Sequence, residues 1–135
     1  MQNLHEAGKR LFAAFEHGEI ALPENKALRL EREWIPHTVF KGVALKHVLT
    51  AADTDGAFSY HLVRIEPDCM IGQHNHATQC ETHEVIAGNG ICQNGEIQVD
   101  YRPGVIAVIK AGTQHTVEAQ EEGLLLFAKF IPPLL

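Results

Sequence analysis

The sequence predicts an all-β fold, an antiparallel barrel or sandwich with a short helix in front of it. Two observations carry this. From Trp34 onward, short runs rich in β-branched and aromatic residues alternate with turn-forming residues at short, regular spacing. Within that region Asn94-Gly95 separates Ile91-Cys92 from Ile97–Val99, a strong hairpin signal because both turn residues tolerate positive φ.

In chain order, the first element is the helix. Leu4, Leu11, Phe12 and Phe15 recur at helical spacing, and Ala7 fills the same stripe. Asn3 followed by Glu6 has the form of a capping box, and Gly18 is a stop. The alternative for this segment is an extended arm. Pro23 to Lys26 is a polar connector. The β-rich runs then cover Val43 to Leu49, Phe58 to Ile65, Glu84 to Ile86, Glu96 to Tyr101, Val105 to Ile109 and Leu124 to Ile131. Gly56, Pro67-Asp68, Pro103-Gly104 and Ala111-Gly112 punctuate them, and Pro132-Pro133 ends the last. The expected organisation is one domain over residues 1–135, with 1–20 as the helix or arm and 34–131 as the barrel.

The chain has 135 residues, 45% of them hydrophobic, which suffices for one independent core. Its formal charge of −6 argues against nucleic acid or an anionic membrane as a partner, since both need a cationic footprint. Three cysteines, Cys69, Cys80 and Cys92, make a poor disulfide framework, and residues 1–10 lack an apolar signal core. The expectation is a reduced, cytoplasmic protein without membrane spans.

Nine histidines are present, and their placement is informative. In the segment GQHNHATQCETHEVIAG, His74 and His76 are two apart, so on a strand both face one side. Glu81 opens the next β-rich stretch after a polar turn, and an antiparallel return would bring its carboxylate to the same point. In GVIAVIKAGTQHTVEA, His115 follows the Ala111-Gly112 turn and offers a third imidazole. Three neutral nitrogens and one carboxylate suit a divalent transition metal: Fe, Mn, Ni, Cu, Co or Zn.

These residues, in this order, resemble the two motifs of the cupin superfamily. The first motif is matched by Gly72, His74-Asn75-His76, Glu81 and Gly88, with a single residue, Gln73, where the family has a longer spacer. The second is matched by Gly104, Lys110-Ala111-Gly112, His115 and Ala119, with Lys110 in place of the usual proline and Ala119 in place of the usual asparagine. The resemblance covers about residues 43 to 131. It implies a cupin-type antiparallel β-barrel (a double-stranded β-helix or jelly roll), His74, His76, Glu81 and His115 as ligands of one divalent metal ion, and a homodimer touching through Trp34 to Leu49 and the N-terminal arm.

Other candidates follow from alternation. His83 shares the face of Glu81 and is expected inside the barrel, as a general base or as a partner that orients Glu81. Gln79 also alternates with Glu81, whereas Cys80 should point the other way, as a core cysteine. On the strand before the first motif, Tyr60, Leu62 and Arg64 share one face and His61, Val63 and Ile65 the other. An inward Arg64 would anchor a carboxylate, and an exposed one is the alternative. His5, His17, His37 and His47 read as surface or packing residues, and Glu118, Glu121 and Glu122 as a solvated turn.

The expected function is that of a metal-binding cupin acting on a small molecule. The enzymatic form would be a metal-dependent dioxygenase, lyase or isomerase with His83 as the catalytic residue. The alternatives are a binding or sensing module that captures a small ligand without turnover, and a metal that only staples the barrel.

Overall fold

The computed structural model describes residues 3–24, 26–29 and 32–135, with the backbone alone for 26–29. Helix α1 spans Leu4–Glu16 and starts where expected, with Asn3 Oδ1 accepting from Glu6 N at 3.2 Å. Its buried line differs from the expected stripe. Gly8 and Phe12 are buried, whereas Leu4, Leu11 and Phe15 stay about half exposed. The cause is Gly8: with no Cβ, the helix backbone lies directly on the carbonyl of Ile86, and any side chain there would collide with it.

After the helix, β1 (Glu19–Leu22) and β2 (Lys26–Arg29) pair as an antiparallel hairpin, Glu19 opposite Arg29. The expected connector is therefore a hairpin turn at Pro23 and Glu24, with residue 25 outside the described residues.

The remaining strands are β3 (Ile35–Pro36), β4 (Val43–Leu49), β5 (Ser59–Ile65), β6 (Met70–His74), β7 (Cys80–Asn94), β8 (Ile97–Tyr101), β9 (Ile106–Ile109) and β10 (His115–Ile131). All their pairings are antiparallel. The hairpin signal at Asn94-Gly95 holds with a shift of one residue. Asn94 pairs with Ile97, so Gly95 and Glu96 are the loop, and Gly95 supplies the positive φ.

Two strands are much longer than the sequence runs suggested. β7 has 15 residues and β10 has 17, and each serves two layers. The second half of β10, Leu124–Phe130, lies between β5 and the first half of β7. Its first half, from His115, lies between β6 and the second half of β7. One layer is thus β3-β4-β5-β10-β7-β9 and the other β6-β10-β7-β8.

The layers meet where the register shifts between Ala119 and Leu124. Gly88 (φ +91°) and Gly123 (φ +71°) face each other there, so close that a Cβ on Gly88 would strike the Gly123 carbonyl. The glutamates Glu118, Glu121 and Glu122 are exposed, as expected, but belong to β10 rather than to a turn. Between the layers sits the core, with Val63, Val85, Cys92, Tyr101, Leu126 and Phe130 among its members. Outside, Phe12, Leu62 and Phe127 seat the helix on the larger layer. No helix among the described residues is long and apolar enough to cross a membrane.

Candidate metal centre

The two-layer construction brings the four predicted ligands together from separate elements. His74 ends β6 and stands opposite His115, which begins β10, in the smaller layer. Glu81 lies near the start of β7 in the larger layer, opposite Phe130 and Ile109. It does not arrive by pairing of β7 with β6, as the sequence suggested, because β10 lies between those two strands. His76 lies just beyond β6, and its carbonyl accepts from Gly112 N at 2.8 Å, so the turn before His115 also holds the His76 loop. The ring centroids of His74 and His115 are 4.1 Å apart, and those of His74 and His76 are 5.1 Å apart.

One ligand atom from each of His74, His76, Glu81 and His115 lies within 4.8 Å of the others, so the four face one common point. The hydrogen bonds aim these atoms. His74 Nδ1 donates to Gly72 O at 2.7 Å, and His115 Nδ1 donates to Thr113 O at 2.9 Å. Carbonyls only accept, so both rings carry a proton on Nδ1 and turn an Nε2 lone pair inward.

His115 Nε2 then stands 3.3 Å from Glu81 Oε1, and neither buried atom has a hydrogen-bond partner. Two acceptors face each other across a buried gap, an arrangement that only a cation or a proton between them relieves. The donor set, three imidazole nitrogens and a carboxylate oxygen, suits a borderline divalent metal.

The titration behaviour of the cluster follows from the same contacts. Burial alone would raise the Glu81 carboxyl, but the His83 ring with its bond to Oε2, and the His115 ring facing Oε1, outweigh it and hold the group well below the usual carboxylate range. Burial lowers His74 and His76. Burial also acts to lower His115, but the Glu81 carboxylate and the Thr113 carbonyl reverse this and leave it raised.

His83 is buried on the same face of β7 as Glu81. Its Nε2 donates to Glu81 Oε2 at 2.8 Å, and its Nδ1 accepts from the Tyr101 hydroxyl at 2.7 Å. Tyr101 and Cys92 lie deeper in the core, both fully buried, and burial pushes the phenol and the thiol up. Tyr101 drew no attention in the sequence, because its partner is 18 residues away and reached only through the pairing of β8 with β7.

A cavity of about 100 Å³ opens beside His74, His76, Glu81 and His83. Its apolar walls include Leu45, Val63, Ile71 and Leu134. His37 is also part of the wall, although its sequence position suggested only surface or packing. Gln79 reaches the chain near the cavity through Nε2 to Pro133 O at 3.5 Å. Arg64 is not in the cavity; it stacks on Trp34 at 4.4 Å, outside the barrel. His61 points inward and is fully buried, bonded through Nδ1 to His47 Nδ1 at 2.7 Å and through Nε2 to Ser59 Oγ at 2.8 Å. Cys80 is only partly buried, and the core cysteine is Cys92.

The family model described as a cupin domain matches residues 61–128, just over half of the chain. No curated protein matches by sequence. Among solved structures, KdgF from Halomonas sp. aligns with a TM-score of 0.65 at 20% identity, covering 76% of this chain and 89% of its own. A predicted oxalate decarboxylase from Thermotoga maritima aligns at 0.67 and 22%, covering 76% and 93%. Ectoine synthase from P. lautus aligns at 0.63 and 20%, covering 70% and 67%. At these identities the likeness establishes the fold alone.

Proposed function

Since the chain belongs to the cupin domain family, we propose that it binds one divalent transition metal through His74, His76, Glu81 and His115 and acts there on a small molecule. The observation that carries this reading is the pair of buried acceptors, Glu81 Oε1 and His115 Nε2, facing each other at 3.3 Å. When bound, the metal would supply Lewis acidity and an exchangeable coordination position. The protein supplies the rest. The carbonyls of Gly72 and Thr113 hold two imidazoles in the ligating tautomer, His83 holds Glu81, and apolar side chains line the cavity beside them.

The reaction types in view are those of a dioxygenase, a lyase or an isomerase. Structural neighbours named oxalate decarboxylase and ectoine synthase favour an enzyme by analogy of fold. A specific feature supports the second reading, capture of a small ligand without turnover: both nitrogens of His83 are engaged, so a free general base is lacking at that position. Screening turnover and oxygen uptake with small acids, phenols and thiols separates the two.

The metal reading is tested by elemental analysis of the purified protein. Wild type should hold one metal ion per chain, and His76→Ala should lose it. Undiminished metal in that variant would refute the ligand set. A homodimer is part of the same proposal, and light scattering that finds only monomer would remove it.

A further inference from the structure

We propose that His37 orients the molecule bound at this centre, by donating a hydrogen bond from Nε2 to an oxygen of a small anionic ligand such as a carboxylate. The inference rests on the metal reading above and adds the ligand class and the residue that selects it.

His37 is held firmly. It follows β3, and its backbone N donates to Val43 O on β4 at 2.8 Å. Its Nδ1 accepts from Val39 N at 3.0 Å and Phe40 N at 3.1 Å. Two amide hydrogens aimed at Nδ1 require a lone pair there, so the ring hydrogen sits on Nε2, on the opposite side of the ring. The imidazole also packs on Phe40, centroids 4.7 Å apart, and Phe40 in turn packs against His74 at 6.1 Å. Gly72 allows this, since a Cβ there would strike the Phe40 ring. These contacts carry His37 to the wall of the cavity that His74, His76 and Glu81 also line. Nδ1 is turned to its own chain, so the edge left for the cavity is the one bearing Nε2.

The other polar groups of this wall have other roles. His74, His76 and Glu81 belong to the metal set, and both nitrogens of His83 are bonded. Among the described lining residues, His37 is the remaining polar side chain, and the rest of the wall is apolar. A cation on one side and one fixed N–H donor on another, with apolar surface between, match a ligand carrying negative oxygens on a small body. The cavity, of about 100 Å³, suits a ligand of small size. A ligand without an acceptor would leave the donor unpaired, and that is how such a site discriminates.

The test uses the full chain loaded with Co(II), whose visible absorption reports both metal uptake and a change of ligand, and formate as the probe. Wild type should bind cobalt and then formate. His37→Ala should bind cobalt as tightly as wild type and formate at least roughly tenfold more weakly, the usual worth of a hydrogen bond to a charged group. His37→Asn separates a role in the turn from a role in the cavity. Its shorter side chain still offers an acceptor to the Val39 and Phe40 amides but ends short of the cavity, so it should lose formate affinity as His37→Ala does. Wild-type formate affinity in either variant, with full cobalt uptake, would overturn the inference and leave the metal reading standing. Cobalt-loaded wild type that ignores formate would do the same. Failure of wild type to take up cobalt would overturn the metal reading, and this inference with it.

Discussion

The Glu81 carboxylate only accepts, so His83 carries its proton on Nε2, and the Tyr101 phenol donates to the Nδ1 lone pair and holds the ring in that orientation. Glu81 Oε1 is thereby left for the buried gap facing His115. Partners of this kind typically change metal affinity or activity about 10–100-fold when removed. Tyr101→Phe should therefore weaken metal binding by at least about tenfold in a competitive chelator titration, with the fold intact by circular dichroism. Wild-type affinity would show that the tyrosine only fills space. His83→Ala addresses the two roles foreseen for that residue. A weaker metal site is the outcome expected from its bond to Glu81. Full metal affinity with turnover reduced by roughly 10²–10⁴-fold would instead make it a proton carrier.

At the scale of elements, α1 is anchored at its C-terminal end by two buried or half-buried contacts from the larger layer. Lys46 on β4 is only 4% exposed and donates from Nζ to Glu16 O at 2.7 Å, meeting a free carbonyl at the negative end of the helix. Trp34 Nε1 donates to Glu16 Oε2 at 2.7 Å, and the Trp34 ring stacks near Phe12. Lys46→Ala should lower stability by about 1–3 kcal/mol, because it leaves that carbonyl without its partner. Phe12→Ala should cost more, about 3–5 kcal/mol, since Phe12 is 2% exposed and fills the space between Trp34 and Phe127. Urea melts of both variants measure these losses. Metal content should stay at the wild-type level, as both side chains lie on the outer, helix-covered face of the larger layer. Loss of metal from a still-folded Phe12→Ala would show that the helix and the centre are coupled.

Across the whole molecule, stability should depend on pH through a histidine that is not among the ligands. Burial, and then the neighbouring His47, push His61 down from 6.5 to about 4, against a smaller upward pull from Glu81. Between those two values the unfolded chain binds a proton that the folded chain refuses, so stability rises with pH in that window. Metal-free protein should accordingly be most stable above about pH 6.5 and lose stability as the pH falls toward about 4. His61→Gln should flatten the dependence of the urea midpoint over that range. An equally steep dependence in the variant would place the proton uptake elsewhere.

The amino-acid sequence by itself determined the features written in neighbouring residues: the Asn3 cap of α1, the hairpin at Gly95, the alternation that puts Glu81 and His83 on one face, and the pair His74 and His76 with Glu81 and His115 following in order. Each depends on a backbone period or a turn preference that a few residues suffice to express. The tertiary structure alone decided what joins across layers. Glu118, Glu121 and Glu122 read as a solvated turn, yet they lie within β10, because a strand that passes from one layer to the other, as β7 does at Gly88 and β10 at Gly123, needs the same glycines as a turn. The seating of β10 between β6 and β7 brings His115 opposite His74, and the pairing of β8 with β7 brings Tyr101 to His83. His37 reaches the cavity only because the turn after β3 folds its own amides onto Nδ1 and packs Phe40 over Gly72. No local period encodes such contacts; they exist only once burial of the two apolar faces has set the register of the layers.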